Sequence, residues 1–266
     1  MKIATAICLF LLGTAIHAQE KEIEDFKKEF NFYIDFQLNK FDSIPINTTS
    51  QKLYSKKVDL AFKTFVAQPN SDNYDKLILA KDNTKFFRLD PRFSIHVKSF
   101  TINDIVYAVY SYTSQSKSNY IVKNINSNEI VYQGSSNKPY VDALYLIDKQ
   151  HFLLIEKNGD FNSSRRAIVL SAEKKDWKTI SAFKGYDLDN NFKAKKLLQK
   201  RSALSLECDM EITMLAPKDV NLISFDSNTK TISYKQYESL TKFKTIAAKW
   251  ENNKFEIDDY RVQNVF

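Results

Sequence analysis

The stretch RFSIHVKSFTINDIVYAVYSYT, Arg92 to Thr113, holds two runs of strand-forming residues around the short polar link TIND. Val, Ile, Tyr and Phe suit a pleated, half-buried surface. Asn and Asp fit a tight link because their side chains bond the local backbone and tolerate positive φ. The stretch therefore reads as a β-hairpin.

The same texture continues in both directions. Upstream, KLILA turns through KDNT into KFFRL. Downstream, NYIVKNI turns through NSNE into IVYQG, and ALYLID, HFLLIEK, RRAIVLSA and WKTISAF follow in series. Near the end VNLISFD turns through SNT into KTISYKQY, and TIAAKW turns through ENN into KFEIDDYRV. Short strands and frequent turns argue against a parallel α/β fold. The expectation is a mostly β chain with an antiparallel, hairpin-rich sheet over residues 76–266. Its form is either propeller-like or a curved sheet or sandwich. The spans Phe93–Gly134 and Val141–Phe183 each give four strands in about 43 residues, the size of a propeller blade. Glycine argues the other way, since only Gly134, Gly159 and Gly185 follow the first eighteen residues.

Residues 19–75 read as a helical segment. Ile23, Phe26, Phe30, Ile34 and Leu38 recur at spacings of three and four, one apolar stripe along a helix. Phe32, Tyr33, Phe36 and Phe41 widen it, and acids crowd the first turn, as the helix dipole favours. After Pro45, Leu53, Val58, Phe62 and Phe65 predict a second helix, opened by Thr48–Ser50 and closed before Pro69. Two aromatic-rich helices of this kind can lie across one face of a sheet.

Residues 1–18 have the layout of a secretory signal peptide: Lys2, an apolar run from Ile3 to Ile16, then the small Ala18. The run is shorter than the roughly 20 residues of a membrane span, and cleavage is expected between Ala18 and Gln19. Beyond it Cys208 is the remaining cysteine, so no intrachain disulfide can form. No second long apolar run occurs, and the rest of the chain is expected to be soluble, periplasmic or extracellular. The charge is basic but mixed, 39 Lys+Arg against 32 Asp+Glu for a net +7. That balance lacks the dense one-sided stripe of a nucleic-acid binder.

Chemistry is sparse. In GYDLDNNFKAKK, Asp187, Asp189 and Asn191 match the first ligand positions of an EF-hand loop. Phe192 then stands where the sharp turn needs glycine, and Leu198 where a bidentate glutamate belongs, so a polar turn is expected. The segment after it reads as a helical turn or two with Leu197 and Leu198 inward. His96 and His151 lie in strands with no zinc-like spacing to Cys208. No G-x-S-x-G elbow, Walker-type loop or G-x-G-x-x-G is present. Asp142, Asp148, Glu156, Asp160, Glu207, Asp209 and Glu211 are available to a glycosidase, which needs two carboxylates about the sugar, but their spacing selects no pair. Tyr107, Tyr110, Tyr112, Tyr120, Tyr132, Tyr140 and Tyr145 suit a stacking surface, and suit cross-strand packing better. Arg165 and Arg166 read as a solvated hairpin end. Asn47 and Asn162 open glycosylation sequons too common to carry weight. The expectation is a non-catalytic exported binding protein for a protein or carbohydrate ligand. It has no catalytic, cofactor-binding or metal residue to name and no role with nucleic acid. An exported hydrolase or an envelope component stands as the alternative.

Overall fold

A computed structural model describes residues 21, 24–38, 44–68, 93–114, 117–136, 140–157, 164–184, 186–188, 194–197, 203–207, 223–239 and 242–256. The chain is mostly β, with antiparallel sheets and two helices near the N-terminus, and the described strands form no closed barrel. It divides into two compact units. One contains Met1–Ser99 and Ile105–Ser135, the other Phe100–Asp104 and Ser136–Phe266. The expected leader, the strands KLILA and KFFRL, Gly159, Asn162, Asp189, Asn191 and Cys208 lie outside the described residues.

In the first unit, helix α1 covers residues 24–37 and helix α2 covers Thr48–Ala67. Asn47 caps α2: its Oδ1 accepts from the backbone N–H of Thr49 at 3.0 Å and Ser50 at 2.9 Å, and Ser50 Oγ accepts from the Asn47 N–H. That reciprocal box satisfies donors the first turn would otherwise leave open. Strands β1 (Phe93–Ile102), β2 (Ile105–Ser114), β3 (Lys117–Asn124) and β4 (Glu129–Ser136) form a sheet in chain order. Asn103 and Asp104 both take positive φ, 48° and 63°, between β1 and β2. Successive left-handed residues give a hairpin whose twist matches its strands, and here Asn and Asp replace glycine. Gly134 is needed for space: a Cβ there would stand 2.6 Å from Cζ of buried Tyr120.

Strand alternation puts Ala108, Tyr110, Tyr112 and Ile121 on one face. Phe26, Phe30 and Ile34 of α1 and Val58, Phe62, Phe65 and Val66 of α2 pack on them in one buried cluster. Tyr112 lies at its centre, with ring centroids 5.5 Å from Phe30 and 5.0 Å from Phe62, both edge-on, a favoured aromatic geometry. Leu53 departs from the expected inward stripe and is 50 % exposed. About seven residues, or two turns, separate it from Leu60, so both point away from the sheet.

The second unit holds β5 (Tyr140–Asp148), β6 (His151–Lys157), β7 (Ser164–Ser171), β8 (Lys178–Ile180), β9 (Phe183–Lys184), β10 (Tyr186–Leu188), β11 (Ala194–Leu197), β12 (Ala203–Glu207), β13 (Ile223–Asp226), β14 (Thr231–Ser239), β15 (Lys242–Glu251) and β16 (Lys254–Glu256). One sheet runs β12-β7-β6-β5 with β8 also on β7, and another runs β13-β14-β15-β16-β9. Leu153, Ile155, Ala167 and Val169 of the first sheet share a core with Ile232, Tyr234, Ile246, Ala248, Trp250 and Phe255 of the second. Burying such side chains is the main favourable term in holding two sheets face to face.

Two details depart from the expected pattern. β9 pairs with β16 in parallel, Phe183 opposite Phe255, and the two rings stack at 5.5 Å. The segment expected to be helical forms instead a two-stranded antiparallel pair, β10 with β11, in which Asp187 lies opposite Lys196. Ala194 and Leu197 stand three apart, a helical spacing, but over so short a span that spacing does not decide between a turn of helix and a strand.

Candidate functional site

Among the described residues of the second unit, a group of charged side chains gathers where β5 begins, β6 ends and β7 begins. Val141 pairs with Glu156, Glu156 with Arg166, and Lys157 with Arg165. The register slips between Val141 and Ala143, so Asp142 is the extra residue of a β-bulge. A bulge re-aims a side chain, and Asp142 meets Arg165 Nη1 through Oδ2 and Lys157 Nζ through Oδ1, the latter at 3.3 Å. Burial alone pushes the Asp142 carboxyl up, but Arg165 and Lys157 more than offset it and hold it below the ordinary carboxylate value. Glu156 is wholly buried, accepts from Ser136 Oγ at 2.6 Å, and lies 3.4 Å from Arg166 Nη1. Arg165 and Arg166 are thus bound to carboxylates, with Arg165 buried, which corrects the reading of a solvated hairpin end. Asp142 with Lys157 and Arg165, and Glu156 with Arg166, form two ion-pair groups on opposite faces of the sheet. With two acids against three bases they carry a net +1 between them, and they tie three strands together.

At the other end of the β5–β6 hairpin, Asp148 accepts from the backbone N–H of Gln150 at 2.9 Å and of His151 at 3.0 Å. Its carboxylate also lies 2.8 Å from His151 Nδ1 and accepts from Trp250 Nε1 at 2.8 Å. Burial raises the Asp148 carboxyl, and these donors lower it by more, so it falls below its ordinary value. His151 is buried, and its ring centroid lies 5.1 Å from that of Trp250. The dyad positions a hairpin turn and a core tryptophan.

In the first unit the tyrosines, for which cross-strand packing is the favoured reading, are mostly interior. Tyr107, Tyr110, Tyr112 and Tyr120 are buried, and Tyr132 packs on Tyr120 at 5.9 Å. Tyr145, in the second unit, packs on Phe225 at 5.5 Å. Tyr112 Oη donates to Asp59 of α2, and Asn119 Nδ2 donates to both, at 2.8 Å and 3.0 Å. Burial, reinforced by the Asp59 charge, pushes the Tyr112 hydroxyl far above its ordinary value, and burial pushes Tyr110 up to about 12.

Lys123 is a functional group that sequence reasoning missed. It follows Ile121 by two residues on β3, so it faces the helices, and it is 1 % exposed. Its Nζ donates to the carbonyls of Val66 at 2.7 Å and Gln68 at 2.6 Å, capping the C-terminal end of α2, where a cation is favoured. Burial lowers its ammonium from 10.5 to about 8. An unfolded chain therefore binds more protons than the folded one above about pH 8, and stability rises with pH there. From about pH 8 to 9.5 the rise is expected to be on the order of 2 kcal/mol, below the range where the buried tyrosines oppose it. Urea midpoints across that window check it: Lys123→Met should lose the slope, and an unchanged slope would contradict the assignment.

Among the described residues no three His, Cys, Asp or Glu side chains form a group able to hold a metal ion. No described helix is long and apolar enough to cross a membrane. The chain matches no protein-family model, no curated protein and no solved structure in the three comparisons made.

Proposed function

We propose that the chain is an exported, non-catalytic binding protein, released by cleavage after Ala18, acting in the periplasm or outside the cell. The observation that supports this reading is the mutual engagement of the polar groups in the strand units. Asp142 is held by Arg165 and Lys157, Glu156 by Ser136 and Arg166, and Asp148 by His151 and Trp250. A general acid or base must reach a substrate proton, and these carboxylates are spent on their own sheets. A second reading, an exported hydrolase, would need two carboxylates flanking a sugar. Asp142 joins Lys157 and Arg165 while Glu156 joins Arg166, and strand alternation puts those two groups on opposite faces of the sheet, which favours the first reading.

The test expresses the chain with its own leader in a bacterium, fractionates the cells, and reads the mature N-terminus by mass spectrometry. The expected result is a periplasmic or released protein beginning at Gln19, inert toward a panel of chromogenic glycosides. Retention of the leader in the cytoplasm would overturn export. Glycoside turnover that Glu156→Gln abolishes would overturn the non-catalytic reading in favour of the hydrolase.

A further inference from the structure

Helix α2 has a second face that the core does not use. Leu53 is 50 % exposed and Leu60 is 65 % exposed. Seven residues on a straight helix bring side chains back to within about 20° of each other, so the two leucines lie on one outward line. Lys57 falls about 40° to one side of Leu53, and Lys56 and Lys63 about 60° and 80° to the other. These three lysines and Lys52 are exposed. The helix holds one acid, Asp59, whose carboxylate is taken by Tyr112 and Asn119 at the edge of the sheet. Lysines therefore flank the two leucines on the outward face, with the exposed Asp59 lying beyond Lys63 toward the sheet edge, while Val58, Phe62, Phe65 and Val66 fix the opposite face in the core.

We propose that this face docks on an anionic lipid bilayer surface. Lysines around an apolar stripe are the pattern of a helix lying in a membrane interface, with apolar side chains at the acyl boundary and ammonium groups among anionic headgroups. Charge complementarity selects the occupant. A second copy of the same face would set lysine against lysine, and a soluble polyanion would leave the leucines in water. Anchored by its inner face, the helix lies shallowly and binds reversibly, and it needs no membrane span. The inference is independent of export, because vesicle binding reads the face directly and fractionation reads the leader.

The experiment is co-sedimentation of the purified full chain with phosphatidylcholine vesicles, alone or with about a third phosphatidylglycerol. Binding is expected only with the anionic lipid, weakening as salt rises from about 0.1 to 0.5 M. Replacing Lys56 and Lys63 by Ser should weaken it roughly fivefold per lysine. Replacing Leu53 and Leu60 by Ser should weaken it by about tenfold or more. All four positions are exposed, so unchanged thermal melting is the control for folding. No sedimentation with anionic vesicles overturns the proposal, as does binding that both variants retain in full. Capture by dextran sulfate without capture by vesicles also overturns it, in favour of a soluble polyanion.

Discussion

Phe62→Ala should destabilise the first unit by about 3–5 kcal/mol, the usual cost of truncating a fully buried aromatic. The ring is 2 % exposed, with its centroid 5.2 Å from Phe26 of α1 and 5.0 Å from Tyr112 of β2. It is the point where both helices and the sheet meet. Removing it forfeits apolar burial and leaves a void that rigid aromatic neighbours fill poorly. Since a domain of this kind is stable by only about 5–15 kcal/mol, α1 and α2 should exchange amide hydrogens far faster in the variant. Leu60→Ala, two positions earlier on the exposed face, should shift stability by no more than about 0.5 kcal/mol. Urea unfolding with hydrogen exchange resolved by peptide checks both. A larger cost at Leu60 than at Phe62 would mean that the helix is turned the other way, and equal costs that Phe62 is not the buried anchor.

Much of this arrangement was legible in the sequence, because its signals are local. Ile105–Thr113 and the residues of α1 carry their burial pattern in their own spacing, and Phe26, Phe30 and Ile34 are all buried as that spacing implies. The hairpin at Asn103–Asp104 was legible from composition, since few residues adopt positive φ cheaply. Leu53 misled because hydrophobicity alone does not say which of two faces a leucine joins. The rest was hidden by distance along the chain. Asp59 meets Tyr112 and Asn119 across separations of 53 and 60 residues. β9 pairs with β16, Phe183 opposite Phe255, although β10 to β15 lie between them in the chain. Lys123 left one trace, a lysine at an inward position of an alternating strand. Its meaning depended on the helix end 55 residues away at Gln68. The pairing of Asp142 with Arg165 was illegible for another reason. A bulge adds one residue to the strand, and counting by twos then assigns the side chain to the wrong face.

That same pairing makes the second large effect. Asp142→Ala should cost about 3 kcal/mol, because it takes the carboxylate from a guanidinium that is only 8 % exposed and leaves a positive charge where water reaches poorly. The loss should exceed that from Lys249→Ala, whose bridge to Glu251 lies 64 % exposed on both sides, a setting worth at most about 1 kcal/mol. Replacing both members, Asp142→Leu with Arg165→Met, should recover half or more of the single-variant loss, since apolar side chains of similar volume avoid the desolvation of two ions. Acidity supplies an independent readout. The folded Asp142 carboxyl titrates below its ordinary value, so its contribution is complete above about pH 4 and disappears as pH falls through the lower folded value. Wild-type stability should fall more steeply there than that of the double variant, in thermal melts of the two proteins compared between about pH 5 and 2. If Asp142→Ala proves harmless, or if the double variant is as damaged as the single one, the charges are not coupled. The end of this sheet must then be held by Glu156 and its partners alone.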